Sequence, residues 1–137
     1  MITGRAARVL IVDDDSDNRM LLQIMLAADG YQFFTAESGA EALALLAVQH
    51  PDLILLDAMM PGLNGYEVAA IVKADIATRH IPILMVTAID NRDARLLGAQ
   101  AGVEDVLCKP VDRHELRMRV KKLLGVELEQ FETHVWL

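Results

Sequence analysis

Four short apolar runs punctuate the chain, at 9–12, 53–56, 83–86 and, more weakly, 106–107. None alternates with polar residues, which is the pattern of strands buried on both faces of a parallel sheet. A fifth candidate, 31–35, is aromatic and β-prone and follows Gly30. Helical spacing fills the intervals. Leu21, Ile24, Met25 and Ala28 fall at i, i+3, i+4 and i+7, as do Ala94, Leu97, Gly98 and Ala101. Ser38-Gly39-Ala40-Glu41 is a capping box ahead of an Ala/Leu run, and Asp112 caps the segment that opens with Arg113, His114 and Glu115. Gly30, Pro51 and Gly102 close one element or open the next.

The order is strand then helix, five times over. That alternation predicts an α/β fold with a five-stranded parallel sheet, doubly wound, in the order 2-1-3-4-5. One domain is expected over residues 1–124, with 125–137 a C-terminal helical extension or the start of a linker. Leu124, Leu128, Phe131 and Val135 keep a four-three-four spacing past Gly125. This is either a helix leaving the domain or a tail folded back on it.

Composition narrows the class. Apolar residues make up 53% of the 137, enough for a core, and charged residues 24%, so disorder is excluded as the main state. The net charge of −7 favours neither nucleic acid nor an anionic membrane surface. A single cysteine, Cys108, cannot form an internal disulfide, and no apolar run reaches membrane-spanning length. The apolar start ends at three aspartates, unlike a signal peptide. A cytoplasmic setting is expected, with no membrane and no direct nucleic acid contact.

In open parallel sheets ligands bind at the carboxyl ends of the strands. After 9–12 come Asp13, Asp14 and Asp15; after 53–56 comes Asp57; after 83–86 comes Thr87; after 106–107 come Cys108 and Lys109. If strands one and three are neighbours, Asp13, Asp14 and Asp57 converge, and three close carboxylates raise one another's pKa. Mg²⁺, a hard cation that takes one or two carboxylates plus phosphate oxygens, resolves that conflict. Lys109 adds a second positive charge and Thr87 a hydroxyl donor. The set suits phosphoryl transfer to a carboxylate, with Asp57 as nucleophile and cations supplying most of the stabilisation.

Asp13-Asp14, Asp57, Thr87-Ala88 and Lys109-Pro110 together resemble the response-regulator receiver domain of two-component signalling, a CheY-like family with a flavodoxin-like fold. The loop from Asp57 through Met59, Met60, Pro61, Gly62, Leu63, Asn64 and Gly65 is similar to the family's loop after its phosphorylated aspartate, and the resemblance covers residues 8–124. It implies that Asp57 accepts a phosphoryl group from a phosphohistidine on a sensor histidine kinase or phosphotransfer protein. Asp14, Asp57 and the Met59 carbonyl would bind Mg²⁺ directly, and Asp13 through water. Thr87 and Lys109 would meet the phosphoryl oxygens, with the backbone N–H groups of Ala58 and Ala88. It also implies a protein that catalyses only its own phosphorylation and slow dephosphorylation, rather than an enzyme.

One switch position departs from the family, which commonly has Tyr or Phe where this chain has Val106, a residue with a stiff χ1 and no ring. Asp15 is an extra charge read as solvated. Met59 and Ile89 flank the family's water path and predict slow self-hydrolysis. Phosphorylation would change the face of helix four, strand five and helix five, a plausible homodimer surface. The passage from Lys109 to Arg113 is similar to that of receivers preceding cyclic-nucleotide signalling modules. The chain then reads as the input domain of a longer regulator, with a downstream output domain or protein; the alternative is a stand-alone regulator.

Other readings fit less well. A haloacid-dehalogenase-like phosphatase needs an acid two residues after its nucleophile, where this chain has Met59. A flavin phosphate would be repelled by Asp13, Asp14 and Asp15. His50, His80, His114 and His134 are scattered without metal-ligand spacing, and Cys108 reads as a small buried hydrophobe.

Overall fold

The computed structural model describes residues 5–88 and 91–125. Five parallel strands alternate with five helices: β1 (Arg8–Val12), α1 (Ser16–Leu26), β2 (Gln32–Ala36), α2 (Gly39–Leu46), β3 (Leu53–Asp57), α3 (Gly65–Ala74), β4 (Ile83–Thr87), α4 (Asn91–Ala101), β5 (Asp105–Cys108) and α5 (Arg113–Leu124). The strand order is β2-β1-β3-β4-β5, as the alternation predicted. A short 3₁₀ turn, Ala27–Asp29, links α1 to β2.

Side-chain alternation along each strand divides the core into two layers. On one face Leu10, Ile54, Leu56 and Met85 meet α2, α3 and α4 through Leu46, Val68, Val72 and Ala94. On the other, Ile11, Leu53, Leu55 and Leu84 meet α1 and α5 through Leu22, Leu26, Leu116 and Val120. β3 and β4 are buried along their whole length, which is why their sequences are unbroken apolar runs.

The helices begin where polar caps satisfy their first N–H groups. Ser38 Oγ accepts from the Glu41 amide at 3.1 Å and an Asp112 carboxylate oxygen from the Glu115 amide at 2.9 Å, both as expected. Asp15, read as a solvated extra charge, is exposed and caps α1, accepting from the Asp17 amide at 2.8 Å. A capping box absent from the sequence reading joins Asn64 and Glu67 at the start of α3, with bonds of 2.9 and 3.0 Å.

The buried stripe of α1 is not the one predicted. Leu22 and Leu26 face the core, while Leu21 and Ile24 are 48% and 61% exposed. Apolar residues surround this helix, so the spacing can be started from Leu21 or Leu22, and contact with α5 selects the second. The Ala94 and Gly98 face of α4 is buried as predicted, with Ala101 partly so and Leu97 outside. α5 ends at Leu124, where Gly125 takes a left-handed φ of 78°. Leu128, Phe131 and Val135 of the predicted extension lie outside the described residues, as does Ile89.

Candidate functional site

The carboxyl ends of β1, β3, β4 and β5 meet at one rim of the sheet. β1 pairs with β3, with Val12 opposite Leu56, so the residues after them emerge side by side. Asp13 extends the ladder, its amide donating to the Ala36 carbonyl at 3.1 Å, and its side chain is buried. Asp57 is the last residue of β3 and also buried, whereas Asp14 is exposed. Carboxylate oxygens of Asp13, Asp14 and Asp57 all lie within 4.8 Å of one another, the convergence that strand order predicted.

Lys109 reaches in from the end of β5, its Nζ 3.4 Å from Asp57 Oδ1. The Lys109 amide donates to the Thr87 carbonyl at 2.7 Å, and the Lys109–Pro110 peptide is cis. Thr87, fully buried, ends β4 beside Cys108, and Ala88 follows at the exposed rim.

Burial is the main cause that raises the carboxyls of Asp13 and Asp57 above the ordinary aspartate value. Neighbouring carboxylates push the same way but more weakly, and Lys109 opposes them. Mutual repulsion, the cause expected from the sequence, is therefore secondary to desolvation. Three carboxylates against one ammonium leave the rim strongly negative, with two of the anions out of water. That donor set fits a hard divalent cation with oxygen ligands.

One expected donor does not face the site. The Ala58 amide donates to the Val86 carbonyl at 3.1 Å, still part of the β3–β4 ladder, so its single N–H is engaged there. The amide directed at the nucleophile is that of Met59, 3.4 Å from Asp57 Oδ1. The chain turns out of the sheet one residue later than the reading assumed. The Met59 side chain, 60% exposed, stands beside Asp57.

Of three supporting residues, Arg19 and Tyr66 carry no mark in the sequence, and Gly65 stands there only as part of the loop after Asp57. Arg19 donates from Nη1 to the Asp13 carbonyl at 2.7 Å, holding the turn after β1. Gly65 packs the start of α3 directly on β3. A Cβ there would run into the Asp57 carbonyl oxygen and lie 2.7 Å from Ala58 Cα, so only glycine permits this approach. Its amide donates to the Ala58 carbonyl at 2.9 Å. Tyr66, next in sequence, turns its ring into the α3 side of the core. No local pattern marks Arg19 or Tyr66, whereas Asn64-Gly65 carries a turn signal. Val106 is buried opposite Met85, close against Gly98 of α4, where an added Cβ would lie 2.7 Å from Val106 Cγ2.

The family model for the response regulator receiver domain matches residues 9–121. The chain belongs to that family. Response regulator PleD of Caulobacter vibrioides is 45% identical over 123 residues, which span 90% of this chain and 27% of PleD. Protein PilH of Pseudomonas aeruginosa is 37% identical over 119 residues, 87% of this chain and 98% of PilH. Among solved structures, the receiver domain of sensor histidine kinase PA1611 from P. aeruginosa PAO1 superposes with a TM-score of 0.81 at 30% identity, covering 88% of this chain and 99% of that one. That structure carries a magnesium ion coordinated in its active-site cleft. This receiver domain thus spans about a quarter of one relative and nearly all of another. Among its described residues no helix is long and apolar enough to cross a membrane.

Proposed function

We propose that this receiver domain is a Mg²⁺-dependent phosphoacceptor switch whose phosphorylated residue is Asp57. The observation that carries the reading is a buried carboxylate at the end of β3, within 4.8 Å of two other carboxylates and 3.4 Å from Lys109 Nζ. A structural aspartate has no reason to be desolvated among like charges, whereas a phosphoryl acceptor does.

Asp57 Oδ1 faces Lys109 and the Met59 amide, which leaves Oδ2 to attack the phosphorus of a phosphohistidine. The O–P bond forms as the P–N bond breaks, and the imidazole leaves with its electron pair and takes up a proton. No general base is needed, because a carboxylate attacks in its ionised form and has no proton to lose. Lys109, the Thr87 hydroxyl and the amides of Met59 and Ala88 are the donors for the transferred oxygens. Asp13, Asp14, Asp57 and the Met59 carbonyl would hold Mg²⁺, which when bound supplies positive charge to the phosphoryl oxygens. The chain is its own substrate and turns over no other.

The donor protein approaches beside α1. A groove lined by Asn18, Leu21, Pro110 and Val111 opens next to Asp13 and Lys109. With exposed Met20 and Ile24 it offers an apolar surface for a sensor histidine kinase or phosphotransfer partner. The short coverage of PleD supports an input domain feeding an output module, and the nearly full coverage of PilH supports a stand-alone regulator.

Intact mass after incubation with acetyl phosphate tests the reading. One added phosphoryl group is expected with Mg²⁺, and none with chelator or in Asp57→Asn. An adduct that persists in Asp57→Asn would overturn it.

A further inference from the structure

Tyr66 is the second residue of α3, and its ring packs into the core layer that holds Val106 and Cys108. Its hydroxyl is fully buried and, among the described residues, is the one buried side-chain polar atom without a hydrogen-bond partner. Such a group destabilises the state that contains it and calls for a physical explanation. Burial raises the phenol above its ordinary value. The neighbouring Thr87 hydroxyl opposes that rise as a hydrogen-bonding group, yet stands short of a hydrogen bond to the phenol in this structure. Strand alternation places Thr87 on the same face of β4 as Ile83 and Met85, which belong to that layer. Tyr66 therefore sits behind the hydroxyl that the phosphoacceptor reading assigns to the phosphoryl group.

We propose that Tyr66 is a positioning residue for Thr87, donating a hydrogen bond from its phenol to Thr87 Oγ1 in the phosphorylated state and not in the resting state. This rests on the phosphoacceptor reading. A threonine hydroxyl has one proton and two acceptor lone pairs. Once its proton is directed to a phosphoryl oxygen, its lone pairs turn to the opposite side, where the phenol lies. A bond made in one state alone biases the equilibrium toward that state. Val106 offers no polar atom for such a role and is held against Gly98. The coupling therefore runs from Thr87 to the first turn of α3 rather than to β5.

Tyr66→Phe keeps the ring and removes the hydroxyl. Beryllofluoride with Mg²⁺, followed by titration calorimetry, should bind about three- to tenfold more weakly to this variant. The ligand-free variant should melt at the same or a higher temperature, because an unsatisfied group has been removed. In a Thr87→Ala background the same substitution should change affinity by less than about twofold. With ¹³C-labelled tyrosine, the Tyr66 Cζ resonance, assigned by comparison with Tyr31→Phe, should shift on beryllofluoride binding. Wild-type affinity in Tyr66→Phe, an equal loss in both backgrounds, a lower melting temperature alongside weaker binding, or an unmoved resonance would each overturn the proposal. A wild-type protein that binds no beryllofluoride would instead overturn the phosphoacceptor reading, and this one with it.

Discussion

Asp13 is held at a cost. Its folded carboxyl is raised above the unfolded value, chiefly by burial, so its charge, where present, penalises the fold. The penalty is relieved as pH falls through the raised value, or when a cation is supplied. Asp13→Asn keeps an oxygen for the Asp15 amide, which now donates at 2.9 Å, and removes the charge. We expect it to raise the melting temperature of the metal-free protein by about 3 °C, on the order of 1 kcal/mol, and to diminish the further rise produced by Mg²⁺. Calorimetry with and without Mg²⁺ checks this, and a metal-free variant less stable than wild type would contradict it. The sequence disclosed the acidic residues, Thr87 and Lys109 because each directly follows an apolar run, and strand order then brings the ends together. It did not disclose which amide meets the nucleophile. That depends on where β3 leaves the ladder, and Ala58 remains paired with Val86 for one residue more than the apolar pattern indicates.

Elements are fixed to one another by contacts that periodicity does not encode. Asp29, in the turn after α1, is almost buried and accepts from Arg117 Nε and Nη2 at 2.9 and 2.8 Å, with Lys121 Nζ 3.6 Å away. These bonds, Arg117 foremost, lower its carboxyl below the ordinary value despite burial. A lowered carboxylate stabilises the fold above its unfolded value of about 4, and the contribution is lost as pH falls through the folded value. Asp29→Asn should therefore cost about 1–2 kcal/mol at pH 7. The difference from wild type should narrow as the pH is taken below about 4, measured by urea melts across that range. A gap independent of pH would show that packing, not charge, is what the substitution removes. The same pairing of α5 with the turn after α1 fixes the rotation of α1, which explains why Leu22 rather than Leu21 is inside. Among the described residues four caps start α1, α2, α3 and α5, and those at Ser38 and Asp112 were legible because a Glu stands three residues on. Asn64 was obscured by the turn signal of Asn64-Gly65, and Asp15 by its acidic neighbours.

At the scale of the molecule, topology was the most legible property, because five strands alternating with helices admit few right-handed arrangements. Leu96 of α4 and Met118 of α5 remain 59% and 47% exposed, near a border of ion pairs in which Arg119 holds Asp105 at 2.7 Å and Glu115 at 3.0 Å. We expect beryllofluoride with Mg²⁺ to increase self-association through this face. Sedimentation velocity over a concentration series checks it, and an unchanged monomer would argue against it. The parallel order has one more consequence. β1 starts, and α5 ends, at the rim opposite Asp57, because every strand runs toward the acidic cluster and every helix runs back. The twelve residues of α5 alone span about 18 Å. Across solvent at physiological salt, charge is screened over about 8 Å. A module seated where α5 ends is thus beyond the reach, through solvent, of the phosphoryl charge. Whatever it learns of Asp57 must arrive as a mechanical displacement carried through the packed layers.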